Sequence, residues 1–199
     1  MRWLKETSLT GYLKSLTSRV RLQETRRVHL LCADCEQLLG LDEKLFSERI
    51  FVPYHDQNKQ EFEYGPWLRK FIVGLHWKVL AVKNEQYPEH IEAHYTKAEL
   101  DWRQFLLGNA ASPGSGDFHL FFSDVVENAS SELPSKINWY LSRGFDVTPI
   151  FSDSGMAGVY AMIAKTITFS YLTPPSGDRD KMAGTQVAEE GVIKTPQSL

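Results

Sequence analysis

The sequence is poor in cysteine, with two among 199 residues, which excludes a small secreted scaffold held by several disulfides. It also lacks a long apolar run. Phe71 to Val82 is broken by His76 and Lys78, and Gly155 to Ala164 is short, whereas a membrane-spanning helix needs ~20 apolar residues. The first residues, Met1 to Leu16, have no continuous apolar stretch because Lys5, Glu6 and Lys14 interrupt them, so no secretory leader is expected. A cytoplasmic protein with reduced thiols and no membrane partner follows as the expectation. There is no phosphate loop, no dinucleotide fingerprint and no Gly-x-Ser-x-Gly around Ser154, which argues against nucleotide-cofactor enzymes and serine hydrolases. No internal repeat is visible. With 42% hydrophobic and 12% aromatic residues and a net charge of -3, the chain is neither disordered nor a rod. It has the length of one well-buried domain.

Charge is unevenly placed. Residues 1–35 carry seven basic side chains (Arg2, Lys5, Lys14, Arg19, Arg21, Arg26, Arg27) against three acidic ones (Glu6, Glu24, Asp34), and the rest is acidic. A basic segment of this kind can attract a polyanion through its local field. It nominates Arg19, Arg21, Arg26 and Arg27 as nucleic-acid contacts, the plainer reading being a solvated surface.

The patterning predicts an α+β fold. Ser8 to Leu16 reads as a short helix, and Arg19 to Leu31 as extended chain or a hairpin ending at the cysteines. From Glu36, a helix with Leu38, Leu41, Leu45, Phe46 and Ile50 on one face is expected to stop at Pro53. Tyr64 to Lys83 is the strongest helix, with Leu68, Phe71, Ile72, Leu75, Val79 and Val82 spaced by three and four. Glu89 to Leu107 is a further amphipathic helix, and Ala111 to Gly116 a breaker. Phe118 to Phe122, Asn138 to Phe151 and Val159 to Leu172 read as antiparallel strands. The expected organisation is thus a zinc-knuckle-like and helical region over 1–110, a β-rich region packed on it over 111–173, and a flexible tail over 174–199.

Cys32-Ala33-Asp34-Cys35 is the one pair of potential ligands at a recognised spacing. A C-x2-C turn delivers two thiolates to one ion, as in zinc knuckles where a hairpin precedes the pair and a helix follows. Four ligands are needed, and His29 is the candidate third. A ligand set completed by a partner chain would make the protein a homo-oligomer. A thioredoxin-type pair would need a βαβ setting that nothing downstream supplies. His90 and His94 flank Glu92 in the order His-x-Glu-x-His, not His-Glu-x-x-His, and read as surface histidines. His76 reads as a buried, hydrogen-bonded side chain, and Trp67, Trp77 and Trp102 as packing residues.

The run Trp3-Leu4-Lys5-Glu6-Thr7-Ser8-Leu9-Thr10-Gly11-Tyr12-Leu13, then Arg21-Leu22-Gln23, Leu30 to Glu36, Phe46 to Pro53 and Trp67 to Ile72 together resemble a bacterial family related to HNH endonucleases. The similarity covers most of the chain. In that family an earlier C-x2-C and a Ser-His-Ile-x-Pro segment precede the Trp-Leu-Lys stretch, the two pairs form a treble-clef zinc site, and the histidine serves the nuclease centre. The resemblance implies metal-dependent cleavage of nucleic acid, structural zinc, a catalytic divalent ion such as magnesium or manganese, and a metal-site role for Glu36. A histidine activates water in such chemistry, and the divalent ion stabilises charge on the phosphate. The plainer reading of Glu36 is an acid facing a helix dipole. The sequence begins at Met1-Arg2-Trp3, beyond both elements, so a shortened or misstarted gene product, inactive as written, is the expectation. A non-catalytic module binding nucleic acid or protein is the alternative.

Overall fold

A computed structural model describes residues 13–15, 21–22, 30–82, 87–123, 144–173 and 184–195. The elements are β1 (Leu13–Ser15), β2 (Arg21–Leu22), α1 (Ala33–Phe46), a π-helical turn (Ser47–Phe51), α2 (Val52–Gln57), β3 (Glu61–Tyr64), α3 (Pro66–Val82), α4 (Glu89–Leu106), β4 (Asp117–Phe122), β5 (Gly144–Phe151), β6 (Ala157–Ile163), β7 (Thr166–Tyr171) and β8 (Gly191–Lys194). The fold is α+β. One sheet runs β2-β1-β5-β6-β7-β4, and a second pairs β3 with β8. All pairs are antiparallel except β1 with β5. No helix among the described residues is long and apolar enough to cross a membrane.

Helix α1 starts at Cys32, with Asp34 and Glu36 in its first turn and Lys44 in its last, signs that suit the helix dipole. It does not stop at Pro53. The chain widens through the π-helical turn and continues as α2, whose first turn holds Pro53, where a missing N–H costs little. The stop falls at Asn58 in the left-handed region (φ 50). The expected apolar face is corrected too. Leu39, Phe46, Ile50 and Phe51 are buried, while Leu38 and Leu41 are exposed.

In α3 the buried side chains include Leu68, Phe71, Ile72, His76, Trp77 and Leu80. Leu75 and Val79 are only partly buried, so the inward stripe centres on Ile72, His76 and Leu80, spaced by four. Gly74 brings α1 close: a Cβ there would lie 3.2 Å from Leu39 Cδ2. Helix α4 seats Ile91, Tyr95, Ala98, Trp102 and Phe105 inward. The Tyr95 hydroxyl donates to Ile150 O (2.8 Å) and Trp102 Nε1 to Ser115 O (2.7 Å), which ties the sheet and the breaker loop to the helix.

Residues of α1 to α4 and of β3, β4, β6 and β8 share one apolar core, and β1 and β2 join the sheet of β4 to β7 across the boundary near residue 110. Three further corrections concern strands. Leu13–Ser15 form β1, not a helix, because Lys14 and Ser15 pair with Gly144 and Phe145, and the rest of the expected helix lies outside the described residues. Val159 to Leu172 is two strands, joined at Ala164 (φ 50) and Lys165. The C-terminal tail is not loose over 184–195: Val187 and Ile193 are buried, Val187 N–H donates to Phe118 O (2.7 Å), and β8 aligns Ile193 with Phe62. Val187 and Ile193, spaced six apart, make no period in sequence, yet each joins the core.

Candidate metal centre

The C-x2-C pair sits where the chain enters α1. Cys32 is the N-cap, exposed, and Cys35 in the first turn is half-buried. Both thiols are free. They hydrogen-bond each other, and the Cys35 backbone and thiol hold the Cys32 thiol below its ordinary range. The bond to Cys32, with burial behind it, pushes the Cys35 thiol up. One sulfur is thereby favoured as thiolate and the other as donor, the asymmetry expected of two thiols in one helical turn. Glu36 is exposed beside them and its backbone N–H donates to Cys32 O (3.0 Å), which holds the turn without using the carboxylate.

Two soft, accessible sulfurs in contact fit two positions of a tetrahedral zinc site. Among the described residues no group of three or more His, Cys, Asp or Glu could hold a metal ion. His29, Arg19, Arg26 and Arg27 lie outside the described residues. Arg21 lies in β2, its backbone paired with Lys14, and its side chain is outside the described set. The structure thus brings together Cys32 and Cys35, with Glu36 next in the chain, and places Arg21 by its backbone alone.

Sequence patterning missed the surroundings of this corner. Cys35 borders an apolar cavity of about 150 Å³ whose lining includes Leu31, Leu38, Trp77, Leu106 and Leu107. Leu38 (49%), Leu41 (63%) and Leu107 (52%) are exposed. The helical spacing of Leu38 and Leu41 in sequence is the one signal for this patch, and it is equally the signal for a buried face. Asp42, one turn past Leu38, is pushed up to about 6 by burial, against the pull of the Lys70 charge.

The remaining candidates are structural. His76 is buried, with Nδ1 2.6 Å from Ser170 Oγ and Nε2 2.9 Å from Thr168 Oγ1. Burial pushes it down to about 3, so the ring is neutral and closed off from any substrate. His90, Glu92 and His94 are exposed on α4. Ser154 lies in an exposed turn against Ser152 (2.7 Å). Trp77 and Trp102 are buried in helices, and Trp77 Nε1 donates to Glu99 (3.1 Å).

Comparison with family models, with curated proteins and with solved structures gives no match to this chain.

Proposed function

We propose that the chain is an HNH-endonuclease-like protein in which Cys32 and Cys35 are two ligands of a treble-clef zinc site, with nucleic acid as the substrate class. The observation that carries this reading is the meeting of two free thiols in the first turn of α1, with Glu36 directly after them. The zinc ion, where bound, supplies a rigid cross-link between the strand region and α1. Glu36 is the acidic side chain offered to a catalytic divalent ion, His29 is the candidate third zinc ligand, and Arg19, Arg21, Arg26 and Arg27 belong to the stretch that would meet the phosphates. The sequence holds no second cysteine pair and no Ser-His-Ile-x-Pro run. Cleavage therefore requires those elements from elsewhere, and the isolated chain is expected to bind without cutting.

A second reading is a non-catalytic module. The leucine patch beside the cysteines favours it, since clustered exposed apolar side chains mark protein contacts. One experiment separates the two: labelled DNA and RNA are incubated with the chain and magnesium or manganese, alone and with a supplied zinc-knuckle segment carrying the missing elements. Product that disappears with EDTA supports the nuclease, and salt-sensitive binding without product in either arm supports the module.

A further inference from the structure

We propose that Cys32 and Cys35 close a reversible disulfide across the first turn of α1, a redox switch that withdraws both sulfurs from the zinc site. The disulfide rests on the placement of the two thiols, and its effect on zinc rests on the reading above. Cys32 is the N-cap, with extended backbone (φ -74, ψ 165), and Cys35 is the third residue of the helix. A side chain at the N-cap reaches over the third helical position, as in a capping box. The turn is closed by the Glu36 N–H bond to Cys32 O (3.0 Å), and the thiols are already in hydrogen-bond contact. Helix neighbours three apart have Cβ atoms about 5 to 6 Å from each other, and a disulfide needs about 3.5 to 4.5 Å. A small closing movement suffices, and the helix need not unwind.

The two thiols differ in access, which sets the order of events. Cys32 is exposed, whereas Cys35 is half-buried and borders the apolar cavity beside Leu31, Leu38 and Trp77. The exposed Cys32 Sγ, as thiolate, attacks one sulfur of a low-molecular-weight disulfide and releases a thiolate, leaving a mixed disulfide. Cys35 then gives up its proton, and its Sγ attacks Cys32 Sγ and expels the second small thiolate. Two protein thiols are oxidised to one S–S bond, the small disulfide is reduced to two thiols, and both protons go to the leaving thiolates. A reducing dithiol runs the sequence backwards. A thioredoxin-type catalyst needs a βαβ setting, but a switch internal to one turn needs only this contact. In a reducing compartment such disulfides are transient and redox-sensing.

The test incubates the full chain, free of metal, with oxidised glutathione, then counts thiols and maps disulfides by mass spectrometry. The expected product is a Cys32–Cys35 bond within one chain, with helicity unchanged and full reversal by dithiothreitol. Cys35→Ser should trap glutathione on Cys32. The Cys35 thiol left in Cys32→Ser should react at least about tenfold more slowly than the Cys32 thiol left in Cys35→Ser. A chain that stays reduced, a glutathione adduct that persists without closing, or bonds only between chains would overturn the switch. A second arm adds zinc chloride and the zinc-knuckle segment named above before the oxidant. Zinc should slow the closure, and should be released to a chelating dye in step with it. Closure at the same rate with no zinc bound would overturn the zinc reading and leave the disulfide standing. Zinc bound by thiols that do not close after EDTA removes it would overturn the switch and leave the zinc reading standing.

Discussion

His76 and the Cys32–Cys35 pair are two places among the described residues where reactive side chains meet, and their surroundings are opposite. His76 is wholly buried, and both its nitrogens are met by hydroxyls of β7. The cysteines stand at a helix entrance, with exposed leucines and an open apolar cavity beside them. A satisfied polar group in a dry core is a structural device, since every hydrogen-bonding demand is met internally. Two free thiols at an exposed helix start have no such closure among the described residues. The chemistry of a residue thus says less about function than whether its valence is closed by its own fold.

The largest effect should come from the closed side. Ile72→Ala removes a fully buried side chain and should cost about 2 to 5 kcal/mol, read by urea denaturation. Leu75→Ala should cost clearly less, because Leu75 is only partly buried and water can enter the space left behind. Equal losses at the two positions would mean that the buried stripe of α3 has been placed wrongly.

The next effect is one of pH. His76 is pushed down to about 3 in the fold, against about 6.5 when unfolded, so the folded state binds fewer protons between those values. Its contribution is complete above about pH 6.5 and is lost as pH falls toward 3, by up to about 1.4 kcal/mol per unit. His76→Gln, which can still hydrogen-bond, should lower stability at neutral pH and flatten that slope. An unchanged slope would show that other groups govern acid unfolding.

How much of this is legible in sequence depends on how local each signal is. Helices α3 and α4 declare themselves within one window, since periods of three and four mark a face. The exposed face of α1 does not, because Leu38 and Leu41 satisfy the same period as Leu39, Phe46 and Ile50, and only the packing of α3 at Gly74 decides which turns inward. Strand β1 is three residues joined to the rest of its sheet through β5, some 130 positions away, and β8 likewise depends on β3. Pro53 reads as a stop because a π-helical turn has no sequence signature. At the site, the C-x2-C spacing is local and readable. The cavity is not, because Leu31, Trp77 and Leu107 reach it from separate segments.

A smaller titration lies nearer the open corner. Burial pushes Asp42 up to about 6, so the carboxylate destabilises the fold when charged and this penalty fades as pH falls from about 6 to 4, opposite in sign to His76. Asp42→Asn should therefore stabilise the protein above pH 6 and make no difference near pH 4. Because the group is half-exposed, solvent screening should keep the gain under about 1 kcal/mol. If the substitution changes stability at no pH, the desolvation of this flank of α1 is weaker than its burial implies.

The smallest effect on stability and the sharpest on function is expected from Arg26→Ala combined with Arg27→Ala. Solvated charges, the plainer reading of this segment in the sequence, contribute little to folding, typically 0 to about 1 kcal/mol per pair, so the denaturation midpoint should barely move. Binding to nucleic acid is another matter, since each lysine or arginine that neutralises a phosphate releases a counterion, and log K falls with log salt in proportion to the number released. Removing two such contacts should weaken binding and reduce the salt slope by ~2, measured by titration at several ionic strengths. The substitutions leave the cysteine pair intact, so they test the arginines alone. If affinity and slope are both unchanged, the basic segment is a solvated face, and the nucleic-acid reading loses its support from charge.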